Sequence, residues 1–252
     1  NNFGTRKRLL EYDDVMNVQR EAIYTKRRSA LYGERLAIDI NNMFADVLDS
    51  LVEHYQENRD YEGFVASLIK IYGIECNVNE NDFFSNSASK ITDMFYEQAY
   101  NNYKLRNEQL AEKVFPVIKE VYENSNRRYD NIAIPFTDGK KTMTIIVPLK
   151  KAYESKGKEI GVSIEKSIVL SIIDDSWKEH LREMDELKQS VQNATYEQKD
   201  PLLIYKFESY NLFKVLMDKV NKDVLTFLNQ GRIPIGEEQN VKEAQVPQKQ
   251  SF

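Results

Sequence analysis

Ser163-Ile164-Glu165-Lys166-Ser167-Ile168-Val169-Leu170 opens a stretch that runs through Trp177-Lys178-Glu179-His180-Leu181 and Asp200-Pro201-Leu202-Leu203 to Gly231, and its reading decides the fold. Two apolar series lie within it. Ile173, Trp177, Leu181, Met184, Leu187 and Val191 recur at three- and four-residue steps, and so do Leu203, Phe207, Tyr210, Phe213, Met217, Val220, Val224 and Phe227, each series marking one face of a helix. Asp200 before Pro201 supplies an N-cap acceptor and a proline at the first helical position, while Gly231 and Pro234 supply a stop. The stretch predicts an antiparallel helical hairpin zipped along facing seams. Its tip, Gln192 to Lys199, offers only Tyr196 as a large apolar side chain, so the tip is expected to be solvated and to present that ring outward.

Composition agrees with a helical chain. Its 252 residues are 41% hydrophobic and 30% charged, with 9 glycines and 6 prolines, which suits one large or two modest, mainly helical domains. A net charge of -5 argues against general nucleic-acid affinity, because phosphate neutralisation needs a concentrated basic surface. The single cysteine, Cys76, excludes an internal disulfide and reads as a buried, inert thiol in a reducing compartment. Neither a signal peptide nor an apolar run of membrane-spanning length is evident. The chain starts at Asn1 without an initiator methionine and almost directly in a helical pattern, so it is expected to be a piece of something longer.

Upstream of the hairpin, Thr5 to Tyr32 holds no proline or glycine and ends at Gly33, predicting one long helix. Its stripe of Leu9, Tyr12, Met16 and Ile23 is thin, and is expected to be covered by domains outside this chain. Leu36, Ile40, Phe44, Val47, Leu51 and Tyr55 make a fuller stripe, and a shorter helix from Asp60 to Gly73 pairs with it. Residues 74–87 read as a loop, and a further long helix begins near Ser87 and is kinked or interrupted at Pro116. Ile132 to Phe136 and Thr142 to Val147 flank Asp138-Gly139 as a β-hairpin, with Pro135 restricting the first strand to an edge. Lys150 to Lys158 reads as a short helix or linker, and Glu237 to Phe252 as a mobile tail.

Catalytic arrangements do not emerge. Gly157-Lys158 is followed by Glu159, which cannot act as the hydroxyl of a P-loop. His54 and His180 lack metal-ligand spacing and read as surface or packing residues. Asp13-Asp14 and Asp174-Asp175 fall on predicted helix surfaces, where carboxylates are usually solvated. Trp177 lies on the apolar seam and reads as an anchor of the hairpin base. Tyr196 is equally an ordinary exposed loop residue or a contact for a partner.

Three separated motifs carry a family resemblance. Leu9-Leu10-Glu11-Tyr12-Asp13-Asp14-Val15-Met16-Asn17 with Gln19-Arg20, then Trp177-Lys178-Glu179-His180-Leu181 with Met184-Asp185, then Tyr196 with Gln198-Lys199-Asp200-Pro201 and Tyr205-Lys206, resemble the SecA preprotein translocase ATPase family. The resemblance implies a mainly α fold: a long scaffold helix over 1–32, a helical wing over 33–160 with a small β-hairpin insertion near 131–149, a two-helix finger over 161–232, and a flexible tail over 233–252. It implies Tyr196 as the residue contacting polypeptide, with Trp177, Tyr12 and Met16 in finger-base and scaffold packing. It further implies unfolded preprotein and the SecYEG channel as partners, together with the motor domains of the parent chain and, through the parent, an acidic phospholipid surface. Nucleic acid is not among the partners, and a homodimer is compatible with the family. ATP and Mg belong to the parent, with no cofactor in this piece, and the location implied is cytoplasmic, peripheral to the inner membrane. Ala194-Thr195 stand where many relatives carry a basic residue and glycine, and the Cys-rich zinc-binding tail of many relatives is missing.

Two other classes stand beside this one. A free-standing helical adaptor docking one partner through its wing fits the same patterns. An enzyme using carboxylates around Asp174 and Glu179 with a divalent metal is the third.

Overall fold

The computed structural model describes residues 2–33, 35–124, 129–193 and 200–234, without the side chains of 2–5, 8, 192 and 193. Eight helices and one two-stranded antiparallel sheet occur among the described residues, so the mainly helical class with a small β-hairpin holds. The chain divides into two compact units, Asn1–Asp39 with Val169–Val224, and Ile40–Ile168 with Leu225–Phe252.

In the first unit α1 spans Asn2–Tyr32 and stops at Gly33, whose left-handed backbone (φ 75°) lets its N–H reach the Ser29 carbonyl at 2.9 Å. The two long helices α7 (Lys158–Asn193) and α8 (Pro201–Gln230) contribute most of their length here. Asp200 caps α8 by accepting from the Leu202 N–H at 3.0 Å.

The second unit is a helical bundle with an aromatic core. α2 (Leu36–Asn58), whose first residues up to Asp39 belong to the first unit, buries all of the predicted stripe except Tyr55, which is half-buried, and adds Met43, Leu48 and Val52 to it. α3 (Tyr61–Tyr72) is capped by Asp60, which accepts from the Gly63 N–H at 2.8 Å, and ends at Gly73. The expected loop over 74–87 contains a short helix, α4 (Glu80–Ser85). Its six residues are too few to show a period; Asn79 caps it, and Phe83 anchors it by stacking on Phe64 at 4.4 Å.

α5 (Ala88–Asn124) runs through Pro116, so the interruption allowed for there does not occur. Pro116 and Glu112, one turn earlier, are both exposed, so the carbonyl left without a donor faces water. β1 (Asn131–Thr137) and β2 (Thr142–Pro148) pair in the predicted hairpin, Ile134 opposite Ile145 and Pro135 opposite Thr144. Ile132, Ile134 and Phe136 turn inward, and Phe136 meets Phe227 of α8 at 5.9 Å. After α6 (Leu149–Glu154), left-handed Lys156 and Gly157 turn the chain, and α7 starts at Lys158, five residues before the expected arm.

The buried seam of α8 matches the predicted one at Val220, Val224 and Phe227 and differs from it in the first half. There the buried positions are Tyr205 and Ser209, whereas Leu203, Phe207 and Tyr210 are 68%, 64% and 67% exposed. Apolar residues occur on two faces of this helix, and a three-and-four spacing fits either. The face chosen is the one that meets α1.

Candidate functional site along the long hairpin

Tyr12 of α1 packs its ring on Tyr205 of α8 at 4.7 Å, and the two are buried together with Met184 and Val191 of α7. Val15, Met16, Leu187, Leu202, Ile204 and Leu212 pack around this cluster. The stripe of Tyr12 and Met16, expected to await cover from outside, is therefore covered within the chain by both arms of the hairpin. Leu9, on the same predicted stripe, is exposed. Burial pushes the Tyr205 hydroxyl up to about 12, with Asp13, Asp185 and Tyr12 adding to the shift. Lys188 reaches back from α7, 3.8 Å from the Asp13 carboxylate and 5.8 Å over the Tyr12 ring.

A polar tie lies one level along the same helices. Gln19 of α1 donates from Nε2 to the Ser209 carbonyl of α8 at 3.0 Å, and its Oε1 stands 2.8 Å from His180 Nε2 of α7. The Ser209 carbonyl requires a donor, which fixes the Gln19 amide with its oxygen toward His180. His180 must then carry its proton on Nε2. Its Nδ1 has no hydrogen-bond partner among the described residues, with Glu183 Oε2 at 3.9 Å. Burial lowers the His180 pKa below its ordinary value, keeping the ring neutral. The ring sits between Trp177 at 5.4 Å and Phe213 at 5.9 Å. Trp177 itself is buried on the α7 seam.

Farther along, Arg27 of α1 holds Asp174 of α7 through two hydrogen bonds of 2.8 and 3.2 Å, at a half-exposed position. That engagement explains Asp174 as a structural carboxylate. Among the described residues there is no group of three metal-ligating side chains. Tyr196 lies outside the described residues.

Gln19 and Ser209 were not singled out by the sequence reading. The available signal was polar residues within apolar series: Gln19 falls in step with Tyr12, Met16 and Ile23, as His180 does with Trp177 and Met184 and Ser209 with Tyr205 and Leu212.

Among the described residues, α1 is joined to both arms by an aromatic cluster and a buried polar tie, and to α7 again by a bidentate ion pair. A family model described as the SecA wing and scaffold domain matches residues 1–232. The chain belongs to the SecA family. The protein translocase subunit SecA of Christiangramia forsetii is 51% identical over 234 residues, covering 93% of this chain and 21% of the relative. Those of Flavobacterium psychrophilum and Bacteroides fragilis are 49% and 52% identical, over 100% and 94% of this chain and 23% and 21% of theirs. The chain is thus the wing and scaffold region of SecA, and spans about a fifth of the length of the curated relatives it matches. No helix among the described residues is long and apolar enough to cross a membrane.

Proposed function

We propose that this part of SecA works mechanically, transmitting movement from ATP-hydrolysing domains elsewhere in the parent protein to an unfolded preprotein entering the SecYEG channel. The layout is a scaffold helix over 1–32, a wing over 33–160 and a two-helix finger over 161–232. ATP and Mg bind in the motor domains, and the parent sits at the cytoplasmic face of the inner membrane.

The observation that carries this reading is the tie of α1 to both arms of the hairpin, through Tyr12 on Tyr205 and Gln19 between His180 and Ser209. A hairpin meant to deliver force needs its arms fixed in register, and this tie joins them toward the tip end, where Val191 closes α7 and Tyr205 opens α8. The unfilled apolar face of Leu203, Phe207 and Tyr210 on the half of α8 nearest the tip supports contact with another chain. Tyr196, between the two arms in sequence, supplies a ring whose contact does not depend on substrate sequence. In the full-length protein, Tyr196→Ala is expected to cut preprotein transport while leaving basal ATP hydrolysis largely intact. Transport equal to that of the unaltered protein would remove the tip from the mechanism.

A further inference from the structure

In the second unit, the outer edge of β1 is only partly used. In the hairpin register the backbone groups of Ile132, Ile134 and Phe136 face β2, leaving those of Asn131, Ala133, Pro135 and Thr137 directed to the opposite edge. There the chain itself adds one antiparallel bridge: Thr137 donates to the Arg232 carbonyl at 2.9 Å, and Arg232 donates back at 2.8 Å. Among the described residues the ladder goes no further. In that antiparallel register the next outward position of β1, Pro135, falls opposite Pro234, and neither has an N–H to give. Beyond it, the Ala133 N–H and C=O meet no backbone partner among the described residues.

A groove of 880 Å³ follows this edge, with Ile134, Phe136, Leu110, Val114 and Val117 among its lining. Every charged side chain on it is basic: Arg106, Lys113 and Arg232. Arg106 is already committed to the Asn229 and Gly231 carbonyls at the end of α8, leaving Lys113 and Arg232 exposed on the rim.

We propose that this wing groove binds an extended stretch of unfolded polypeptide, which adds to β1 as a further antiparallel strand at Ala133 and Asn131. Its alternate apolar side chains enter the groove, and a carboxylate meets Lys113 and Arg232. The edge has demonstrated its capacity for a strand through the Arg232 bridge, and the basic rim sets the charge of the occupant. Only the identity of the polypeptide as a preprotein rests on the function proposed above.

Fluorescence anisotropy of this chain with a labelled short peptide alternating valine with threonine and glutamate tests the site. Binding is expected. Ala133→Pro, which removes one outward N–H at a position where an edge strand tolerates proline, should weaken it about tenfold, the loss of one hydrogen bond. Ala133→Val, which keeps the N–H, should bind as the unaltered chain does, and Lys113→Glu should bind more weakly. Equal affinity for Ala133→Pro overturns the proposal, as does absence of binding. Binding that appears only when the chain is ended at Pro234 assigns the edge to the chain's own following residues and overturns it too. Any of these outcomes leaves the transport result for Tyr196→Ala standing independently.

Discussion

Gln19 shows how one side chain can hold three helices. Its amide satisfies the Ser209 carbonyl and the His180 N–H at once, both in a region closed to water. Gln19→Ala leaves the buried His180 N–H unpaired, which costs about 1–3 kcal/mol, and takes from the Ser209 carbonyl its donor beyond the helix ladder; urea unfolding should register a loss of that order. His180 adds a pH dependence whose sign follows from its neutral state. Its folded pKa is lowered, so its contribution is fully present above the unfolded value of about 6.5 and is lost as pH falls from there toward the folded pKa. Glu183, at 3.9 Å from Nδ1, is too far to hold the proton by a normal hydrogen bond. The melting temperature of the unaltered chain should therefore fall more steeply between pH 7 and pH 5.5 than that of His180→Gln. Parallel curves for the two would contradict the assignment.

At the scale of elements, the strongest signals in the sequence were ends and periods. Gly33, Asp60, Gly73 and Asp200 stop or cap helices where expected, because a cap or a left-handed glycine is a local property. The β-hairpin was legible for the same reason. What was not legible depended on partners distant in sequence. α4 exists because Phe83 reaches Phe64, and the choice between two apolar faces of α8 was made by α1. The same holds for the polar tie, which becomes visible only once three stripes, each carrying one polar residue, are set side by side.

Two substitutions probe elements directly. Pro116→Ala in α5 restores a donor to the Glu112 carbonyl and removes a poor helix former, so the chain should gain up to about 3 kcal/mol, read as a raised melting temperature. Gly231→Ala should do the reverse. A Cβ there would overlap the Phe136 ring and stand 2.6 Å from the Phe227 carbonyl oxygen, so the end of α8 must shift, costing about 1–3 kcal/mol. Near-UV circular dichroism should report the disturbed Phe136–Phe227 contact.

On the scale of the whole molecule, the two units divide the sequence differently from the way the chain divides into helices, because the boundaries fall within α2, α7 and α8. The first unit couples residues more than 150 positions apart, as in the Gln19 tie to His180 (161 apart) and Ser209 (190 apart). Contacts of that separation hold only when the chain between them is folded. The proposed lever therefore depends on its two arms being clamped together by α1. Tyr12→Ala in the full-length protein tests that most directly: removing the ring empties the space against Tyr205 at a cost of about 3 kcal/mol. The measurement is preprotein transported per ATP hydrolysed. The clamped-lever account predicts a fall in this ratio with ATP hydrolysis maintained; an unchanged ratio, with the protein still folded, would contradict it.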